Sequence, residues 1–368
     1  MNLAPQTAQF FSPAALFKLL ADAQDVKTVI PMPLPPGAYT DSATDRPIGT
    51  QVVYARHTGN RASARAIAPG SPSRAIGTLP GTQMISETGL VASEHYTVSP
   101  EHIMGLNSNM PWFVQRATIE VNRNAINARS RLDFFKADQV HSSFAKGAIW
   151  TDGDGKILDS SSGAVNTIDF GVPTGNKLTT AGAGSTYAIG DWSSASTDLG
   201  LAIRTLKQAA LKASGYLPDT IYYGINIPKW VAQNTTVKAY SFNALLNEAV
   251  ATKNEIPNGV LGMNWIPVYN AFSGSTGTNW FGDNFLAFAP PITTDWYDLI
   301  PLGQQVPNTG IADGLVTSSE QDAAMHIQWG MYSYAYHKTD PYQLRVVNGI
   351  GCMPVIKAPK AYFFGVCA

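Results

Sequence analysis

Apolar residues recur at helical spacing in two long stretches of the chain. Val121, Ala125, Ala128, Leu132 and Phe135 fall 4, 3, 4 and 3 residues apart, and Ile119, Ile126, Val140 and Phe144 widen that stripe. Arg123, Arg129, Arg131, Lys136 and Asp138 take other positions. No glycine occurs from Leu106 to Lys146, and no proline between Pro111 and Pro173. The pattern predicts one helix over 114–146, about 28–32 residues and about 45 Å long at 1.5 Å per residue, ended by Gly147. A second stripe of Leu199, Ala202, Ile203, Leu206, Ala209, Ala210 and Ala213 predicts a helix over 196–214, with Ser196 or Thr197 as its cap and Gly215 as its stop. Shorter helices are expected at Pro228–Gln233 and Ser241–Lys253. Alternating or continuous apolar runs predict strands at 50–56, 94–99, 165–170, 220–225, 265–270, 285–289, 327–337, 343–348 and 361–366. Residues 148–151 and 156–158 read as a hairpin around Asp152-Gly153-Asp154-Gly155. Helices and strands alternate irregularly, which predicts an α+β fold.

The first third of the chain has little to build a core from. Ser12-Pro13 starts a helix whose apolar face is Ala15, Leu16, Leu19 and Leu20 and which should stop near Asp22. Pro31, Pro33, Pro35 and Pro36 then force an extended exit. Residues 1–36 thus read as an arm that must lie on something else. Residues 37–113 are rich in Gly, Pro, Ser and Thr, and a two-stranded excursion of this kind needs outside support. Between Arg46 and Arg74 stand Arg46, Arg56, Arg61, Arg65 and Arg74 and no acid. Two readings stay open for this run: a solvated loop face, or a strap whose guanidinium forks grip acids on a neighbour. A nucleic-acid contact is a third, poorly served because Tyr54 is the only stacking aromatic there.

Composition adds a reason to look outward. Of 368 residues 14% are charged, against about 25% in an ordinary globular chain. Net charge is −1, so no overall basic field holds nucleic acid by counterion release. A surface this poor in charge points to burial within an assembly. Cys352 and Cys367 are the only cysteines, too few for a disulfide framework and without zinc spacing, and they read as thiols in a reducing compartment. Ala21-Asp22-Ala23 resembles a processing site, but the first ten residues carry no Lys or Arg, and Pro13 and Lys18 interrupt the apolar stretch. A cytoplasmic product is expected, with no membrane segment. No phosphate-cradling loop, dinucleotide fingerprint, nucleophile elbow or paired-His zinc motif occurs. The Asp-Gly repeat fails as a calcium loop because Lys156 and Gly163 stand where ligands are needed. His57, His95, His102, His141, His326 and His337 are scattered. Catalytic, cofactor and metal sites are therefore expected to be absent.

The order of parts (apolar arm, long excursion, single long helix, small meander, α+β body, closing strands) resembles the major capsid proteins of tailed phages with the Hong Kong 97 capsid fold. Within them it is similar to the lambda-type major capsid protein E family. The likeness spans essentially the whole chain. It is supported locally by DTIYYGINIPKWVAQ at Asp219–Gln233 and by MPVIKAPKAYFFGVCA at the end of the chain. The resemblance implies an N-arm at 1–36, an E-loop at 37–113, a spine helix with a peripheral domain at 114–195, an axial domain at 196–340 and closing strands at 341–368. It implies a structural, non-enzymatic subunit that assembles with itself as hexamers and pentamers into an icosahedral head around double-stranded DNA, read without sequence preference. It further implies a virion location after assembly in the host cytoplasm, a separate scaffolding protein, a portal and a decoration protein. Phe10, Phe11, Leu16 and Leu19 would dock the arm, and Arg46, Arg56, Arg61, Arg65 and Arg74 would fasten the excursion. Some proteins of this fold weld subunits through an E-loop lysine; no Lys occurs between Lys27 and Lys136, so no such bond is expected. Two alternatives remain at this stage: an encapsulin-like compartment shell, and a β-rich binding protein or hydrolase.

Overall fold

The structure is a computed structural model. It describes residues 13–22, 29–30, 47–57, 82–106, 110–178, 189–239, 243–274, 277–307, 325–339 and 342–368. The fold is α+β. Helix α1 spans Pro13–Asp22, followed by β1 (Gln51–His57), β2 (Thr82–Thr88), β3 (Leu90–Val98), α2 (Pro100–Leu106) and α3 (Pro111–Lys146). A three-stranded meander follows, with β4 (Ala148–Thr151) between β5 (Ile157–Leu158) and β6 (Asn166–Asp169). The body continues through β7 (Lys177–Leu178), α4 (Leu199–Ser214), β8 (Thr220–Tyr223), α5 (Ile227–Gln233), α6 (Thr235–Lys238), α7 (Asn243–Lys253), β9 (Asn264–Pro267) and β10 (Phe285–Ala289). The last strands are β11 (Tyr297–Pro301), β12 (Gly303–Pro307), β13 (Met325–Trp329), β14 (Met331–Thr339), β15 (Tyr342–Ile356) and β16 (Phe363–Val366).

Helix α3 is 36 residues long, longer than its stripe predicts because Pro111 occupies the first turn, where a missing N–H costs nothing. Its end is where the sequence placed it. Gly147 adopts φ 67° and donates its N–H to the Ser143 carbonyl. The cap of α4 corrects the expectation: Asp198, rather than Ser196 or Thr197, accepts from the Leu201 N–H. Ile119 and Ile126 are a second correction. They do not widen the buried stripe of α3; they face solvent, as argued below.

Two sheets organise the core. The five-stranded sheet runs β7-β16-β10-β8-β9, and every residue of β8 and β10 is buried. Both its faces are covered, so these strands read as continuous apolar runs rather than alternating ones. Ile221, Tyr223, Leu286 and Phe288 point to one side, where Leu199, Ile203, Leu206 and Ala210 of α4 cover them. Tyr222 and Ala287 point to the other, into the cluster around α3. There Phe144 meets Tyr222, Trp296, Tyr297 and Tyr362 edge-on, with centroids 4.8–6.0 Å apart.

The second sheet is built around β15. Residues 342–350 pair with β14, residues 352–356 with β11, and β3 lies along the opposite edge from Leu344 to Cys352. One strand was expected at 327–337, but β13 and β14 are separate, divided at Gly330 with φ 75°. β13 instead pairs with β12.

Candidate assembly surfaces

Helix α1 has no core of its own and borrows one. Leu16 is buried, and Leu19 packs beside it, against Val98 and Ile103, Ala117 and Val121 of α3, and Ala335, Leu344 and Val346 of the β15 sheet. The end of the helix is held by a buried charge. Arg129 of α3 donates from Nη1 to the Leu20 carbonyl at 3.3 Å and lies beside Met331 Sδ. Its Nε pairs with the carboxylate of Asp133, and Lys136 Nζ stands 3.7 Å from the other oxygen of that carboxylate. All three side chains are buried. A cation at a helix C-terminus is favourable because the last carbonyls carry partial negative charge. Sequence reading assigned Arg129 and Lys136 to positions off the apolar stripe. The Arg-x3-Asp-x2-Lys spacing was legible, but the same spacing is common on solvent-facing helices.

The excursion is a two-stranded antiparallel sheet. β1 and β2 pair from Gln51↔Thr88 to His57↔Thr82. Both ends of β1 are tied to the body: before it Gly49 N–H donates to the Gly303 carbonyl and Gly303 N–H to that of Pro47, and at its far end His57 N–H donates to that of Lys357. Alternation gives it two unlike faces. Val52 and Tyr54 are buried against the body, whereas Val53 is 57% and Met84 is 65% exposed. Ala55 pairs with Met84, so Val53 and Met84 share the open face.

Arg56 is spent within its own subunit. Its Nη2 donates to the Tyr54 hydroxyl and to the Asp169 carbonyl, each at 3.1 Å, which fastens β1 to the meander. Gly171 makes room for it, since a Cβ there would sit 2.5 Å from Arg56 Nη1. Phe10, Phe11, Arg46, Arg61, Arg65 and Arg74 lie outside the described residues.

Both cysteines and His141 are sealed in the interior. Burial pushes the Cys352 thiol up to about 12 and raises that of Cys367, so neither is a thiolate at neutral pH. Burial lowers His141 to about 4 and leaves it neutral, its ring edge-on to Phe281. Asp138 accepts from Trp280 Nε1 at 2.8 Å and from the Gly274 N–H, pinning the 271–281 loop to α3. Desolvation raises its pKa, and those two hydrogen bonds oppose the rise. The Asp152 carboxylate accepts from the N–H groups of Asp154 and Lys156 and so closes the hairpin turn. Among the described residues no cluster of three His, Cys, Asp or Glu could hold a metal ion, and no helix is long and apolar enough to cross a membrane.

No protein-family model matches the chain, and no curated protein sequence does. Solved structures similar to it over nearly their whole length include a prophage protein of E. coli CFT073, described provisionally as a capsid protein. It is 12% identical, with a TM-score of 0.45 over 98% of this chain and 95% of that one. A phage-related protein of Bordetella bronchiseptica RB50 is 9% identical, with a TM-score of 0.43 over 96% and 97%. The mature capsid of bacteriophage PhiM1 is 9% identical, with a TM-score of 0.42 over 93% and 90%.

Proposed function

We propose that this chain is the major capsid protein of a tailed phage, a structural subunit of the Hong Kong 97 type with no catalytic role. The observation that carries the reading is the β1–β2 excursion. It is bound to the body on one face and presents Val53 and Met84 on the other, in a chain of which only 14% is charged. An isolated two-stranded sheet is marginal in water. Val53 and Met84 stand exposed on that face among Gln51, Thr82, Ser86 and Thr88, and a neighbour packed on it would take both out of water. Repetition of one such contact around a symmetry axis builds closed rings, here hexamers and pentamers that tile a shell enclosing double-stranded DNA. The domain bounds follow the resemblance: arm, E-loop, spine helix with peripheral meander, axial body and closing strands. In the acid-free segment from Arg46 to Arg74, the arginines other than Arg56 would then meet acids of a neighbouring subunit. A separate scaffolding protein, a portal and a decoration protein are the further partners, and the finished product is a virion component assembled in the host cytoplasm. Sealed thiols and a neutral buried His141 favour this role over a hydrolase.

Negative-stain microscopy with size-exclusion chromatography, on the chain alone and with the candidate scaffold co-expressed, tests the reading. Shells or six- and five-membered rings are expected. A monomer under both conditions overturns it, and shells that purify with an enzyme instead of DNA transfer the chain to the compartment-shell class.

A further inference from the structure

The first half of α3 carries two stripes, half a turn apart. Ala117, Val121, Ala125, Ala128 and Leu132 are buried on one face. On the opposite face, at 4, 3, 4 and 3 spacing, stand Trp112, Arg116, Ile119, Arg123 and Ile126. The apolar three recur at every seventh position and are 57%, 58% and 48% exposed. Phe113 stacks on Trp112 with ring centroids 3.6 Å apart and extends the apolar end. Arg116 and Arg123 are exposed and make no ion pair among the described residues. An apolar residue at every seventh position supplies one of the two rows of a helix–helix seam, and Arg116 and Arg123 flank it at the position where charge sets the choice of partner.

We propose that this ridge docks an acidic amphipathic helix belonging to a second protein. Apolar side chains of the partner would pack between Trp112, Ile119 and Ile126, and its carboxylates would meet Arg116 and Arg123. The charge selects the occupant. Two copies of the ridge facing each other would set Arg against Arg. Apart from α3 itself, no described helix carries more than one Asp or Glu, so no described helix of a neighbouring copy supplies the complementary face. Nucleic acid fits poorly, since two guanidinium groups neutralise only about two phosphates and three bulky apolar residues would lie between them. The inference does not rest on the shell reading; it needs only the exposed ridge.

The test uses the full chain and a fluorescein-labelled three-heptad helical peptide built from Leu, Ala and Glu. A matched peptide with Lys in place of Glu and a short DNA duplex serve as comparison probes. Anisotropy should show the Glu peptide binding at least about ten-fold more tightly than the Lys peptide. Arg116→Glu with Arg123→Glu should invert that order, and Ile119→Ser with Ile126→Ser should weaken the Glu peptide by at least about ten-fold. All four positions are exposed, so circular dichroism should show both double variants folded. Equal binding of the two peptides, binding unaffected by the Arg reversal, or no binding of the Glu peptide overturns the proposal. So does Arg-dependent binding of the duplex alone, which would make the ridge a nucleic-acid contact. A change of oligomeric state in the Arg variant without peptide binding to the wild type also overturns it, and would assign the ridge to a neighbouring copy.

Discussion

Arg129 Nη1 donates to the Leu20 carbonyl, so one buried guanidinium on α3 holds the last turn of α1. The same group is neutralised by Asp133 one turn along. Lys136 stands on the other oxygen of the same carboxylate, so loss of Arg129 leaves a neutral Asp133–Lys136 pair, whereas loss of Asp133 leaves two buried cations side by side. Asp133→Leu should therefore destabilise the body by about 3–5 kcal/mol, and Arg129→Met by clearly less. Urea unfolding of the two variants and the parent chain checks this. Equal loss in the two variants would show that packing, not the uncompensated cations, carries the cost. Arg129→Met should also speed proteolytic removal of α1.

His141 gives the fold a pH dependence. Its folded pKa is about 4, against an ordinary 6.5, because burial disfavours the imidazolium. Between those values the unfolded chain binds a proton that the folded chain does not, so stability falls as pH drops from 6.5 to about 4 and this contribution is constant above 6.5. The loss attributable to this residue is about 3 kcal/mol. In His141→Leu that slope should be reduced, measured as the urea midpoint across the window. An unchanged slope would place the dependence in other groups.

Gly365 of β16 sits against the neighbouring backbone, and a Cβ there would lie 2.0 Å from the Leu178 carbonyl oxygen. The obstacle is main chain in a parallel strand pair, which cannot step aside as a side-chain tip can. Gly365→Ala should cost about 1–3 kcal/mol. Gly155→Ala is the contrast: with nothing within 4 Å and φ 79°, it should cost only the backbone strain of its turn, about 1 kcal/mol. Thermal melts of the two variants should rank in that order.

Assembled particles boiled in detergent should run as single chains, because no Lys occurs between Lys27 and Lys136 to weld the excursion to a neighbour. A ladder of covalent multimers on the gel would refute this.

Helices were more legible than strands, for physical reasons. A 3.6-residue stripe and a closing glycine mark α3 and α4, and both ends at Gly147 and Gly215 are where the pattern put them. Strand β15 was read only as far as 343–348 because Gly349, Gly351 and Pro354 follow. The sheet overrides those signals. A Cβ at Gly349 would collide with the Tyr332 ring, and Pro354 sits where only β11 pairs. Strands β11 and β12 escaped notice because each is five residues long and ends in proline. Leu16 and Leu19 were legible as an apolar face that must lie on something else, and the structure seats them on the chain's own body. Ile119 and Ile126 were misread because hydrophobicity records which residues tend to be inside and is silent on faces left for a partner. Arg129 and Asp133 were missed because only the docked helix end makes a buried cation useful there.

Both sulfhydryls lie in the interior, Cys352 on β15 between β11 and β3 and Cys367 in the body cluster. The folded surface is consequently blank toward maleimides. A single cysteine introduced on an exposed site, such as Ser160 in the meander, would be the one position labelled. Dyes, spin labels or gold could thus be attached at one chosen point per chain without first deleting a natural residue.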